Sequence, residues 1–311
     1  MSTRRFSTGA TRYPRPVSGQ IRWCREGTGQ VARFDLPPLA KDSLIVPNFS
    51  ATGEGCNWSA TWYFRNGDKH WQLDTVPAPP RPEHRETMSD GAYVDADIDC
   101  FVTTMDIEVS FLELRLHAHE APADALTVIA TRAFSSRKIS AGVKSAGAIN
   151  VPALSQMQAP PSIRRRICSP ICLAMVMGLD ERAATRFTDE CYGHTRKLYG
   201  IWPRNIRAAN ARGFIGAIEA FQSLDEAAVL IEGGTPIITS NRYRQGELTG
   251  SAVPATAGHL VVLCGLNGRS ALVNDPAAGC HEDVAREYDR EEFAYAWLRK
   301  RGVGYVLRRT A

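Results

Sequence analysis

The sequence predicts an α+β protein in which an N-terminal all-β, sandwich-like part precedes a part that mixes helices with strands. From about residue 31 to 131 the chain is strand-like, with turn residues at intervals of about eight to twelve positions. After about residue 150, helix caps appear and strands follow them toward the C-terminus. The 311 residues are also long for one core, which favours two domains of roughly 150 residues each.

The clearest strand of the N-terminal part covers residues 111–119. Alternate positions are apolar there, so one face of the strand is expected in the core and the other in water. The apolar positions are Leu112, Leu114, Leu116 and Ala118. Two further strands are predicted at 57–64, before the turn signal Asn66-Gly67, and at 126–131.

Four segments follow from these patterns. Residues 1–22 are expected to be a disordered basic arm, because arginines there lie among Ser, Thr, Gly and Pro with no acidic residue before Glu26. Residues 23–134 are the sandwich-like domain. Residues 135–150, poor in large apolar side chains, are expected to be a linker. Residues 151–311 are then the second domain.

Helices in the second domain are predicted from cap and stop signals. They are 171–179 after Ser169-Pro170, 202–211 before Gly213, 227–232 after the capping box that starts at Ser223, and 290–298. The predicted strands are 236–240, 259–265, 271–274 and 303–307. Helices followed by a mostly antiparallel sheet are the usual order of an α+β domain.

Composition excludes several classes of function. The net charge of +4 is a mild excess spread along the chain, so nucleic-acid binding is not indicated. No apolar run of about 18 residues and no apolar leader are visible, which favours a soluble, cytoplasmic protein without a membrane partner. The eight cysteines are too sparse for a disulfide scaffold. No cofactor or metal is expected, and the oligomeric state is left open.

Cys168 stands out because it directly precedes Ser169-Pro170, which is predicted to start an apolar helix. Free backbone N–H groups and the helix dipole at that end favour a thiolate over a thiol. A catalytic cysteine needs this activation. The alternative interpretation is a small, buried core cysteine.

His259 and Asp275 are predicted to meet across a hairpin. Folding the chain about Asn267 places residue 259 opposite residue 275, to within about one position. A carboxylate beside an imidazole fixes its tautomer and supports its protonated form. The alternatives are a strand-end histidine and a turn-forming aspartate before Pro276.

Four stretches in this order also carry a family resemblance. They are Val-Pro-Ala-Leu-Ser-Gln-Met at 151–157, Cys-Ser-Pro-Ile-Cys-Leu-Ala-Met at 168–175, Ala-Gly-His-Leu-Val-Val-Leu at 257–263 and Val-Asn-Asp-Pro-Ala at 273–277. By them, residues 151–306 resemble the bacterial C39-like cysteine peptidase family, the papain-fold relatives of bacteriocin-leader peptidases. The N-terminal part resembles, more vaguely, the β-rich domain that precedes some members.

The resemblance implies a papain-like domain and a cysteine peptidase that acts on a peptide or amide bond. It implies that Cys168 is the nucleophile, His259 the general base, Asp275 the orienting acid and Gln156 a donor of the oxyanion hole. Cys172 departs from the pattern, since Ser or Thr is usual there, and it is an alternative nucleophile. An acyltransferase would use the same residues, because both reactions share the acyl-enzyme.

Two rival functions remain. A metal site could use Cys168 and Cys172 with His259, Cys280 or His281, although the two cysteines bracket a helix start instead of a knuckle turn. A binding protein without turnover could instead combine the β-rich part with an inactive peptidase fold. Its aromatic face would be Trp58, Trp62 and Trp71, for which a core position is the preferred interpretation.

Overall fold

The computed structural model describes residues 3–8, 16–17, 21–27, 29–52, 58–76, 93–117, 125–133, 139–299 and 302–309. These residues form a mixed structure that is rich in strands and has few helices. The chain divides into two compact units. The first holds Met1–Ser135 and Trp202–Ile218, and the second holds Ser136–Ile201 and Glu219–Ala311.

The first unit contains two sheets. Its strands are β1 (Thr3–Thr8), β2 (Pro16–Val17), β3 (Cys24–Glu26), β4 (Gly29–Leu36), β5 (Ser43–Ala51), β6 (Ser59–Asn66), β7 (Lys69–Gln72), β8 (Val94–Ala96), β9 (Phe101–Thr103), β10 (Ser110–His117) and β11 (Ala125–Ala133). One sheet has the order β2-β1-β11-β5-β9-β8 and the other β3-β4-β10-β6-β7. Only β1 and β11 pair in parallel among the pairings given for the described strands of this unit.

Both sheets contribute to one apolar core. The ring of Phe64 on β6 lies 5.7 Å from that of Phe101 on β9, which belongs to the other sheet. The predicted apolar face of β10 lies in this core, with Leu112, Leu114 and Leu116 buried. Ala118, the last position predicted for that face, lies outside the described residues. The core also contains Trp58, Trp62 and Trp71, which therefore do not form an exposed sugar-binding face.

The other face of β10 differs from the prediction, because Glu113 is buried there and not in water. Its carboxylate accepts hydrogen bonds of 2.9 Å from both Arg65 and Arg115, and Arg33 lies 3.5 Å away. The guanidinium groups of Arg65 and Arg115 also lie over the ring of Tyr63. The long arginine side chains thus cover a strand face that the alternation of polar and apolar residues predicts to be exposed to solvent.

The predicted disordered arm is wrong where the structure describes it, since residues 3–8 and 16–17 are strands. Strand β1 pairs with β11, and β2 pairs with β1. An arm can be held in this way because an edge strand offers unpaired backbone groups to any extended segment. Most of the remaining arm lies outside the described residues.

Helix α3 (Trp202–Asn210) belongs to the first unit, although the sequence analysis assigned it to the second domain. Buried polar side chains of β5 attach this segment. Asn48 donates to the carbonyl of Ile218 at 3.2 Å and accepts from its N–H at 3.1 Å. Asn210 donates to Ser50 and accepts from the N–H of Ala51. The other predicted domain boundaries stay predictions.

The second unit carries the remaining elements. They are α1 (Cys168–Val176), α2 (Glu181–Cys191), α4 (Leu224–Glu232), β13 (Ile237–Tyr243), β14 (Thr256–Leu266), β15 (Ser270–Asn274), β16 (Ala285–Asp289), α5 (Arg290–Leu298) and β17 (Val303–Arg309), with a short 3-10 helix at Gln156–Gln158. The sheet order is β12-β17-β13-β14-β15-β16, where β12 (Phe214–Ala220) is the strand that crosses from the first unit to the second. Of these elements, α2, β12 and β16 were not predicted from the sequence.

Two local predictions need correction. Helix α1 begins at Cys168 after Ile167, so Ser169 is not its cap and instead hydrogen bonds to the hydroxyl of Tyr305. The described part of the predicted linker is also attached to the second unit. Ala146 exchanges two backbone hydrogen bonds with Leu266. In contrast, the predicted cap of α4 is present, since the hydroxyl of Ser223 accepts from the N–H of Glu226.

None of the helices in the described ranges is long and apolar enough to span a membrane.

Candidate active site

Cys168 occupies the first position of α1. Backbone N–H groups in the first turn of a helix lack intrahelical partners, which favours a thiolate there. The residue is half-buried and its thiol interacts with the imidazole of His259. Burial raises the pKa of this thiol, but the hydrogen bond and charge of His259 and the N–H groups of Leu260 and Ser169 hold it below its usual value. The surroundings of Cys168 therefore favour the thiolate.

His259 lies within β14, opposite Asn241 of β13, and is buried. Its Nε2 atom lies 2.7 Å from Oδ1 of Asp275. Because Nε2 is engaged, Nδ1 is the ring nitrogen that remains for Cys168. Burial lowers the pKa of His259, but the hydrogen bonds and charges of Asp275 and Cys168 raise it well above its usual value. The ring is therefore positioned to hold a proton between a thiolate and a carboxylate.

Asp275 directly follows β15 and has no exposed surface. Besides His259, its carboxylate accepts hydrogen bonds from the N–H of Ala277 at 2.9 Å and from the hydroxyl of Tyr288 at 2.6 Å. Burial raises the pKa of Asp275, but these donors and the charge of His259 hold it below its usual value. An ionised carboxylate thus faces the ring from the side opposite Cys168.

The hairpin that brings His259 and Asp275 together has a different register from the predicted one. Folding about Asn267 would place Val262 opposite residue 272, whereas the structure pairs it with Asn274. Asn267 begins the turn instead of centring it, because its side-chain oxygen accepts from the N–H groups of residues 269 and 270. A bulge between Leu263 and Gly265 then moves the register one residue back toward the predicted one. The contact between the two side chains forms nevertheless, since Asp275 lies just beyond the strand.

Gln156 begins the short 3-10 helix and is buried. Its backbone N–H donates to the carbonyl of Pro276 at 2.8 Å, which connects this segment to the residue after Asp275. Its side-chain Nε2 donates to the carbonyl of Arg164 at 2.7 Å. A primary amide carries two N–H groups, so one further donor of this side chain is available.

Cys172 lies one helical turn after Cys168 but in a different environment. It is fully buried, and its thiol donates to the carbonyl of Leu260 at 3.3 Å. Burial raises its pKa well above the usual value, and the charges of Cys168 and Asp275 raise it further. A thiol in this state is a poor nucleophile. The geometry therefore favours Cys168 over Cys172.

The residues of the rival metal site have other partners. The thiol of Cys280 donates to Asp283, and Nδ1 of His281 accepts from the N–H of Ser155 at 2.9 Å. Over the described parts of the chain, no group of three or more His, Cys, Asp and Glu side chains is arranged to hold a metal ion.

Tyr288 contacts Asp275 but was not among the predicted site residues. It lies on β16, a strand that the sequence analysis missed. The segment 285–289 has three charged residues and a single aromatic residue and lies beside the start of a helix, so its strand signal is weak. A separation of 13 residues from Asp275 carries no local signal of contact.

Comparisons with known proteins agree with the resemblance. The sequence profile of the Peptidase_C39 like family matches residues 148–305, about half of the chain. A crystal structure of a candidate C39-like peptidase from Bacillus anthracis is similar over 54% of this chain and 100% of its own, with 18% sequence identity and a TM-score of 0.37. A search of curated proteins found no match.

Proposed function

The chain belongs to the Peptidase_C39 like family, and from this premise we propose that it is a cysteine peptidase that cleaves a peptide or amide bond through an acyl-enzyme on Cys168. We further propose that the second unit has the papain-like arrangement of helix and sheet, preceded by a sandwich-like domain. The observation that carries the proposal is the distance of 2.7 Å between the His259 ring and the Asp275 carboxylate, beside a thiol at the start of α1 whose pKa His259 helps to lower.

The first half of the proposed reaction forms the acyl-enzyme. The Cys168 thiolate attacks the substrate carbonyl carbon, and the carbonyl electron pair moves onto oxygen. The backbone N–H of Cys168 and the available N–H of Gln156 would stabilise this oxyanion, and such preorganised donors contribute roughly 3 kcal/mol each. The intermediate then collapses, the C–N bond breaks, and the His259 imidazolium donates its proton to the departing amine.

The second half restores the enzyme. His259, now neutral, accepts a proton from water as the water attacks the thioester, and the acid product leaves when the C–S bond breaks. Asp275 stays ionised throughout and stabilises the imidazolium each time it forms. Attack by an amine in place of water would give acyl transfer with the same residues.

A thiol-directed probe tests the proposed nucleophile. Full-length protein is treated with iodoacetamide near pH 6.5, and mass spectrometry follows the modification of each cysteine. We expect Cys168 to react first, because its pKa is lowered, and the rapid label to disappear in Cys168→Ala. The matched control is Cys172→Ala, which changes a buried thiol on the same helix and should keep the label.

Cleavage is then measured with a mixed library of peptides. Wild type should release new N-termini, Cys168→Ala should release none above background, and Cys172→Ala should retain most of the activity. A reactive Cys168 with no cleavage, or with transfer to an added amine in place of hydrolysis, would contradict the peptidase proposal. Slow labelling of Cys168 would contradict the activated thiol itself.

A further inference from the structure

The Asp275 carboxylate has two oxygens with separate partners. Oδ1 accepts from His259 and from the N–H of Ala277, whereas Oδ2 accepts from the hydroxyl of Tyr288 at 2.6 Å. Tyr288 is almost completely buried and lies on β16, a different strand from those that carry His259 and Asp275. Its bond to Oδ2 opposes rotation of the carboxylate about the bond that joins it to the chain.

The oxygen of the same hydroxyl accepts from the N–H of Ala252 at 3.4 Å. Ala252 belongs to the segment 244–255, which connects β13 to β14 and leads directly to the strand of His259. Since an ionised carboxylate can only accept hydrogen bonds, the hydroxyl proton is directed at Asp275. A chain of hydrogen bonds thus leads from this segment through Tyr288 and Asp275 to the imidazole.

Tyr243 provides an internal comparison. It is also buried, and its hydroxyl also contacts the segment 244–255, by donating to the carbonyl of Val253 at 3.2 Å. That hydrogen bond does not involve Asp275. The two tyrosines therefore anchor the same segment, but Tyr288 alone of the two donates to the carboxylate.

We propose that Tyr288 is a positioning residue for the candidate active site, which holds the Asp275 carboxylate toward His259 and joins it to the segment 244–255. This inference rests on the proposed function. Tyr288 would not touch the substrate and acts through Asp275. Burial and the charge of Asp275 raise the pKa of Tyr288, so its hydroxyl stays protonated and remains a donor over the working range of pH.

Removing the Tyr288 hydroxyl should shift the pKa of Asp275 in one direction. The Tyr288 hydrogen bond lowers the pKa of Asp275, so its loss raises that pKa. Asp275 is then protonated at a higher pH, the imidazolium loses its counter-ion there, and the thiolate of Cys168 is lost with it. Two titratable groups change the pKa of Asp275, namely His259 on β14 and Tyr288 on β16. The charge of Asp275 in turn raises the pKa of Tyr243 on β13 and of Cys172 on α1.

The experiment follows iodoacetamide modification of Cys168 in the full chain between pH 4 and pH 8. In Tyr288→Phe we expect the acidic limb of the rate profile to move up by roughly half to one pH unit, which lowers the rate at pH 5 by about 3- to 10-fold. Tyr243→Phe, the matched control, should leave the limb in place and the rate within about twofold. Thermal unfolding of both variants checks that each is folded.

A second variant covers the case in which Tyr288→Phe unfolds. Replacing Tyr288 by 3-fluorotyrosine keeps the ring and makes the hydroxyl a stronger donor, so the acidic limb should move to lower pH. The inference is overturned if neither Tyr288 variant moves the limb, or if Tyr243→Phe moves it equally. A wild-type limb in the range of an ordinary thiol, near pH 8.5, would contradict the proposed function and with it the inference.

Discussion

Each unit buries an ionised carboxylate, and the partners of the two carboxylates differ. Glu113 in the first unit is held by guanidinium groups, which keep their charge at any pH the protein meets. Asp275 in the second unit is held by an imidazole, a hydroxyl and a backbone N–H. Burial raises the pKa of both acids, and their partners hold it below the usual value.

The difference indicates what makes a buried acid functional. A carboxylate that is paired with permanent cations exchanges no proton with its partners, so it contributes to stability. A carboxylate matched to an imidazole that also contacts a thiol can stabilise a charge that appears and disappears. Perturbed pKa values alone would not separate the two, because both acids are shifted in the same direction. What separates the two acids is that Asp275 has a titratable partner and Glu113 does not.

The strongest test of this comparison is His259→Ala. Without the imidazolium, the thiol of Cys168 should return to a pKa of at least about 8.5, so roughly 1% of it is ionised at pH 6.5. We expect its rate of modification by iodoacetamide at that pH to fall about 50-fold, since a thiolate of higher pKa is intrinsically more nucleophilic and offsets part of the loss. Glu113→Gln is the control and should react like wild type.

Glu113→Gln tests the structural side of the comparison. The change leaves three guanidinium groups without their shared anion, two of which are largely buried. We expect the free energy of unfolding of the first unit to fall by about 2 kcal/mol, less than for a fully buried pair because Arg33 is exposed. Chemical denaturation followed by tryptophan fluorescence measures it.

The same variant has a pH signature. The folded-state pKa of Glu113 is lowered, so its contribution is present above the unfolded value of about 4.3 and is lost as the pH falls through the folded value. Glu113→Gln should therefore flatten the acid side of the stability profile. A profile that keeps its wild-type slope would show that the arginines do not stabilise this carboxylate.

The smallest effect is expected at a third acid. Asp289 is exposed, and its carboxylate accepts from the N–H groups of Glu291 and Glu292 at the start of α5. Asp289→Ala should lower the free energy of unfolding of the second unit by about 1 kcal/mol, as for other helix caps. Asp289→Asn should retain most of it. A loss as large as that of Glu113→Gln would break the distinction between exposed and buried acids.

Local signals predicted several of the helix ends. Pro170 at the start of α1, the capping box at Ser223 and Gly213 after α3 lie within a few residues of the ends that they specify. The hairpin of β14 and β15 was also predicted, although its register was off by three residues near the turn and by two beyond the bulge. Short-range patterns define helix ends and hairpins well, but they leave a bulge or a turn of unusual length open.

Long-range polar contacts could not be predicted. Asn48 and Ile218 are 170 residues apart, and a polar pair within a strand gives no sign of which segment it will bind. The same holds for Glu113, whose alternation with Leu112 and Leu114 indicated a wet face. Hydrophobic periodicity reports which positions avoid water, and it is silent on buried groups that satisfy each other.

The sequence by itself determined that the chain mixes helices and strands, that a helix begins next to Cys168, and that His259 and Asp275 belong to one hairpin, because each of these depends on neighbours within a few positions. Only the tertiary structure decided that the ring and the carboxylate lie 2.7 Å apart, that Tyr288 donates to the carboxylate, and that 202–218 belongs to the first unit. Those outcomes depend on how separate elements pack, and the free energy of such packing is shared among residues that are distant in the chain.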